Sequence, residues 1–166
     1  MGSKPPAVVR LAHAADPGAF DAFYRREWVD AVRLAHLLTG VDAVAEDLAQ
    51  EAFTRVERRW ASVDNGAAYL RTTLVNTCRS WQRSRGREQT RLRLAGPRLD
   101  QVGDLGADEL LDAVDALPFR QRAVLVLRYY HDLSEREIAD AVGCRPGTVK
   151  SLASRALDQL RTVIER

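Results

Sequence analysis

The chain has 166 residues, 46% of them hydrophobic and 29% charged, with a formal net charge of +2. That balance excludes disorder throughout and fits one ordinary domain or two small ones. The longest apolar runs, such as Ala123 to Leu127, fall far short of the roughly 20 residues a membrane span needs, and the N-terminal MGSKPPAVVRLAHAADPG has no apolar signal core, so a cytoplasmic location is expected.

Apolar residues recur at spacings of three and four over most of the length, and strand-like alternation is sustained nowhere, which predicts an all-α chain. A first helix is expected from about Pro17 to Leu38, with Phe20, Phe23, Tyr24, Ala31, Ala35 and Leu38 on one face and Gly40 ending it. A second opens on Asp42 as N-cap and turns Ala45, Leu48, Ala49, Ala52, Phe53, Val56 and Trp60 inward. A third, opened by Asp64 or Asn65, runs from about Ala67 to Ser84. The following stretch, REQTRLRLAGPRLDQVGDLG, with its glycines, proline and weak periodicity, reads as a linker. A fourth helix covers Asp108 to Ala116, and a fifth runs from Phe119 to about Tyr130 after Pro118. Ser134 and Glu137 make a capping box for a sixth helix that ends near Val142. A seventh begins at Pro146 or Gly147, with Val149, Ala153, Ala156, Leu157, Leu160 and Ile164 as its buried stripe.

Cys78 and Cys144 lie far apart without a CxxC or a neighbouring His, so two free thiols are expected. His13, His36 and His131 are scattered, and no phosphate loop or nucleophile elbow occurs. The pattern gives no catalytic residue, no metal ligand and no cofactor.

Charge is distributed in blocks. From Arg79 to Arg98 seven arginines face one acid, Glu88. From Leu99 to Asp115 there are six acids and no base, and from Arg145 to Arg166 five bases face two acids. Basic blocks of this kind suit a polyanion partner.

Ala139, Gly143 and Val149 occupy the spacings a helix-turn-helix needs: a small residue at the crossing, Gly in the turn and a β-branched residue filling the angle. The outer face of the last helix then carries Arg145, Thr148, Lys150, Ser151, Ser154 and Arg155, side chains suited to phosphates and base edges. A plain helical hairpin with a solvated charged face fits the same pattern. In the second helix Asp47, Gln50, Glu51, Thr54 and Arg55 remain outside the apolar stripe. In the third, Leu70, Leu74, Cys78 and Trp81 cluster inward, while Tyr69, Thr72, Asn76, Arg79, Ser80 and Arg83 gather opposite. An aromatic, an amide and arginines on one stripe suit single-stranded nucleic acid, and they also suit an ordinary surface helix.

Together these segments resemble a bacterial RNA polymerase sigma factor of the extracytoplasmic function group. AEDLAQEAF is similar to that family's region 2.2, AAYLRTTLVNTCRSWQRSRGRE to regions 2.3 to 2.4, and DALPFRQRAVLVLRYYHDLSEREIADAVGCRPGTVKSLASRAL to region 4. The resemblance implies two small helical domains joined by a flexible linker: a tail over 1–16, sigma region 2 over 17–88, the linker over 89–106 and sigma region 4 over 107–166. It implies core RNA polymerase as a partner, through the β′ clamp coiled coil and the β flap, with Asp47, Gln50, Glu51, Thr54 and Arg55 on the docking face. Ser62, Asp64, Asn65, Tyr69, Thr72, Asn76, Arg79, Ser80 and Arg83 would take the promoter −10 strand and hold a flipped base. Arg145, Thr148, Lys150, Ser151, Ser154 and Arg155 would read the −35 duplex. The acidic linker, with Asp100, Asp104 and Asp108, would mimic nucleic acid, and an anti-sigma factor would be the usual regulator. Leu152 stands where the family more often has a basic or polar residue, Ala153 where it has a larger apolar one, and Tyr69 where many members have tryptophan.

Two other readings fit part of the pattern. A stand-alone helix-turn-helix regulator would bind a palindromic duplex without polymerase. A nucleic-acid enzyme would need a metal or an acid/base cluster, which the residues do not supply.

Overall fold

The computed structural model describes residues 16, 18–93 and 108–164. Among these residues the chain forms seven α-helices, one short 3-10 turn and no strand. The helices are α1 (Ala19–Thr39), α2 (Asp42–Glu57), α3 (Gly66–Arg93), α4 (Asp108–Asp115), α5 (Phe119–Tyr129), α6 (Glu135–Val142) and α7 (Pro146–Ile164), and the 3-10 turn is Trp60–Ser62. The expected N-terminal tail and most of the expected linker, with Asp100 and Asp104, lie outside the described residues, as do the side chains of Asp108 and Ile164.

Local chemistry accounts for the helix ends. Gly40 adopts φ +67 and donates its N–H to the His36 carbonyl at 2.7 Å, the left-handed close that glycine makes without a Cβ penalty. Asp42 is the first residue of α2 rather than its N-cap; Val41 holds that position, with an extended backbone and no side-chain cap. The tight turn brings Asp42 beside the last turn of α1, where its carboxylate lies 2.8 Å from His36 Nδ1. Asn65 caps α3, its Oδ1 accepting from the Ala68 N–H at 3.0 Å. α3 continues beyond the expected Ser84, through Gly86 to Arg93. Glycine costs about 1 kcal/mol inside a helix, and the Arg, Glu, Gln and Leu around it sustain the helix.

α1, α2 and α3 pack around an aromatic cluster of Phe23, Tyr24, Trp28, Phe53 and Trp60. Gly66 leaves room for the Trp60 indole and the Phe23 ring, which a Cβ there would strike. Ala113, Leu117, Leu125, Ala156 and Leu160 form a second, smaller core among α4, α5 and α7. The two halves do not stand apart. α6 packs on α3 and α5 on α1, so Leu34, Leu74 and Val75 of the first half share one apolar cluster with Val124, Ile138 and Val142 of the second.

Candidate functional site

The second half builds a helix-turn-helix from α6 and α7. Ser134 Oγ accepts from the Glu137 N–H at 3.3 Å while Glu137 Oε2 accepts from the Ser134 N–H at 2.9 Å, closing the capping box. The Ser134 N–H and the Ser134 hydroxyl, which donates to the same Oε2 at 2.8 Å, hold the Glu137 carboxyl below the usual carboxylate range. Ala139 and Val149 are buried at the crossing. Gly143 adopts φ +72, and a Cβ there would meet nothing within 4 Å, so the turn needs glycine for its backbone and not for space. Arg145, Lys150, Ser151, Ser154 and Arg155 all face solvent, and Thr148 is half-buried among them. The Lys150 ammonium lies 3.8 Å from Glu135, an exposed pair that leaves the lysine available to a stronger anion.

On α3 the stripe opposite the apolar face is present but unequal. Asn76, Ser80 and Arg83 are exposed, Thr72 is half-buried, and Tyr69 is half-buried against the core. Arg79 does not point freely outward: it donates to the Val142 carbonyl at 2.7 Å, and its guanidinium sits 5.9 Å from the Phe119 ring centroid. Burial, with Arg120 and Arg83 nearby, pushes the Arg79 guanidinium below its ordinary value. Arg79, Arg83, Phe119, Arg120, Gly143 and Leu152 line a groove of about 580 Å³ between the halves. The loop before α3 presents Ser62, Asp64 and Asn65 at the surface. Arg85 and Arg87 of the basic block are both exposed on the continuation of α3, with Arg85 5.3 Å from the Trp81 ring centroid.

The exposed face of α2 carries Asp47, Gln50, Glu51 and Arg55, with Thr54 half-buried. Gln50 Oε1 accepts from the Tyr24 hydroxyl at 2.9 Å, and Arg55 pairs with Glu51 at 2.5 Å. These contacts present a fixed polar surface one helix away from the α3 stripe. Both cysteines are free: Cys78 is buried, with its thiol pushed up to about 12 by desolvation, and Cys144 is half-buried. No group of His, Cys, Asp and Glu able to hold a metal occurs among the described residues.

Residues 23–88 match the model for Sigma-70 region 2, and residues 107–160 match that for Sigma-70, region 4. The RNA polymerase sigma-E factor of Streptomyces coelicolor is 34% identical over 148 residues, which cover 86% of this chain and 84% of that protein. The ECF RNA polymerase sigma factor EcfG of Rhodopseudomonas palustris is 32% identical, covering 76% of this chain and 75% of that one. Among solved structures, the sigma factor RpoE in complex with the anti-sigma factor NepR from Bartonella quintana superposes with a TM-score of 0.74 at 26% identity, covering 89% of this chain and 98% of that chain.

Proposed function

Because the chain belongs to the extracytoplasmic function group of the sigma-70 family, we propose a division of labour among its faces as it directs RNA polymerase to promoters. The observation that carries this reading is the presence, in one chain, of an exposed Asn76, Ser80, Arg83 stripe on α3 and an exposed Arg145 to Arg155 face on α7. The first has the amide and guanidinium groups that single-stranded bases and phosphates take, with the half-buried Tyr69 and Thr72 at its start. It takes the −10 strand together with Ser62, Asp64, Asn65 and Arg79. The second is the part of a helix-turn-helix that enters a major groove, and Arg145, Thr148, Lys150, Ser151, Ser154 and Arg155 read the −35 duplex there.

Asp47, Gln50, Glu51, Thr54 and Arg55 dock the β′ clamp coiled coil, and the second half meets the β flap. The working domains are 17–88 and 107–166, joined over 89–106. Opening DNA costs about 1.4 kcal/mol per base-pair step, so polymerase shares the work of melting. The chain contributes specificity and no catalytic group of its own. It acts in the cytoplasm, where the promoter is; no described helix is long and apolar enough to cross a membrane. An anti-sigma factor is its expected regulator. The stand-alone regulator is disfavoured by the match of both halves to sigma regions.

The test is holoenzyme formation with core RNA polymerase from Streptomyces coelicolor, followed by capture of promoter fragments from a randomised duplex library. The wild type should co-elute with core polymerase and enrich two spaced elements, and a Gln50→Ala, Glu51→Arg variant should do neither. Tight binding of the isolated protein to a palindrome, with no association with core polymerase, would replace this reading by the regulator.

A further inference from the structure

We propose that the groove lined by Arg79, Arg83, Arg120 and the Phe119 ring is a binding site for a small phosphorylated nucleoside. Phe119, Arg120 and Gln121 belong to none of the faces assigned to polymerase or promoter, so the site goes beyond that assignment and does not depend on it.

The charge of the groove is one-sided. Among the described residues its lining holds three arginines and no Asp or Glu. Arg79 and Arg83 stand one turn apart on α3, and Arg120 lies in the first turn of α5. Two of the three are anchored by backbone: Arg79 donates to the Val142 carbonyl at 2.7 Å and Arg120 to the Gly143 carbonyl at 3.4 Å. Burial pushes the Arg79 guanidinium below its ordinary value, and the charges of Arg120 and Arg83 push it further. A bound anion relieves such repulsion, and the planar fork of arginine fits phosphate oxygens. Pro118 and Phe119, at the N-terminus of α5, also line the groove, so the positive end of that helix dipole adds to the same field. The volume of about 580 Å³ is that of a small-molecule site.

The rest of the lining suits a flat, hydrogen-bonding ring. Phe119 and Leu152 are half-buried there beside Pro118, an apolar wall for the face of a base. Gln82 and Gln121 line the groove too, and the side-chain carbonyl of each is buried without a hydrogen-bond partner among the described residues. Buried acceptors left unpaired are costly, and the amino and imino N–H groups of a nucleobase are the donors these two amides lack. Inorganic phosphate would use the arginines alone, and a neutral nucleoside would use only the ring wall and the amides. A ligand that carries both a phosphate and a base uses the whole lining.

The experiment is calorimetric titration of the full chain at fixed ionic strength with ADP and GDP, set against inorganic pyrophosphate, the free nucleosides and a short single-stranded DNA. At least one diphosphate should bind saturably, one per chain, and about tenfold or more tighter than pyrophosphate or the nucleosides. Arg120→Ala should weaken that binding about tenfold with helix content retained. Gln121→Ala should bring the nucleotide down toward the affinity of pyrophosphate, and it decides the matter if Arg120→Ala loses helix content. Pyrophosphate binding as tightly as both nucleotides, or nucleotide affinity unchanged in these variants, overturns the site. Saturable binding of the DNA strand with neither diphosphate bound also overturns it and gives the groove to nucleic acid. Arg120→Ala should still co-elute with core polymerase. A wild type that binds a diphosphate but ignores core polymerase would sink the polymerase and promoter faces and leave this site standing.

Discussion

The Nη1 of Arg122 donates to the carbonyl oxygen of Leu38 at 2.9 Å, joining α5 to the end of a helix 84 positions earlier. The guanidinium is fully buried, and among the described residues Asp115, half open to solvent, balances its charge. Burial pushes the guanidinium below its ordinary value and Asp115 partly restores it. Arg122→Ala would strand the carbonyl oxygens of Leu38, Asp115 and Leu117 and leave a void, so unfolding free energy should fall by about 3 kcal/mol in urea titrations. Arg122→Met fills the void and should lose less. Equal stability of wild type and Arg122→Ala would remove this contact from any account of the fold.

Two glycines with opposite backbone demands make a paired test. Gly143 has φ +72 and open space around it, so Gly143→Ala carries the left-handed backbone cost alone, about 1 to 2 kcal/mol. Gly86 lies within helical α3 and a Cβ there also meets nothing within 4 Å. Gly86→Ala should therefore stabilise the chain by about 0.5 to 1 kcal/mol. Chemical denaturation of both variants checks the signs, which should be opposite.

His131 gives the fold a pH dependence with a defined direction. Burial pushes its imidazole below the ordinary value and Arg71 acts the same way, while Asp30 and Glu27 oppose. Its Nε2 is buried without a hydrogen-bond partner among the described residues. Between the lowered folded value and the unfolded value near 6.5, the unfolded chain binds more protons, so stability rises with pH there. The contribution is fully present above about pH 6.5 and is lost as pH falls toward the folded value. Melting temperature should drop between pH 7.5 and 5.5, and a His131→Asn variant should show a smaller drop.

Arg155 and Arg83 should fail in different ways when each is changed to alanine. As a base-edge reader, Arg155 should cost about 1 to 3 kcal/mol and relax specificity at one position of the −35 element. Arg83 as a phosphate contact should weaken binding evenly across sequences and lower the salt dependence by about one ion. Holoenzyme binding to promoter variants at several salt concentrations separates the two patterns.

The helices, the capping box at Ser134 and the helix-turn-helix geometry were legible in the sequence because each depends on neighbours within a few residues. Ala139, Gly143 and Val149 are three such positions, and the structure places each as its spacing required. The exposed face of α2 was legible for the same reason. The end of α3 was not, because the weak periodicity, glycines and proline of the stretch from Arg87 on read as a linker, while its first residues, to Arg93, continue the helix. Tertiary structure alone decided the second face of α3. Thr73 and Thr77 carry polar hydroxyls, yet both are buried, the hydroxyls donating to the Tyr69 and Thr73 carbonyls one turn back, which lets α3 pack a second side. It alone also decided that Arg79 would serve an internal contact and that Arg122 would be a core residue. Periodicity reports which residues share a face. What covers that face depends on contacts between segments 63 and 84 positions apart, and no local pattern encodes those.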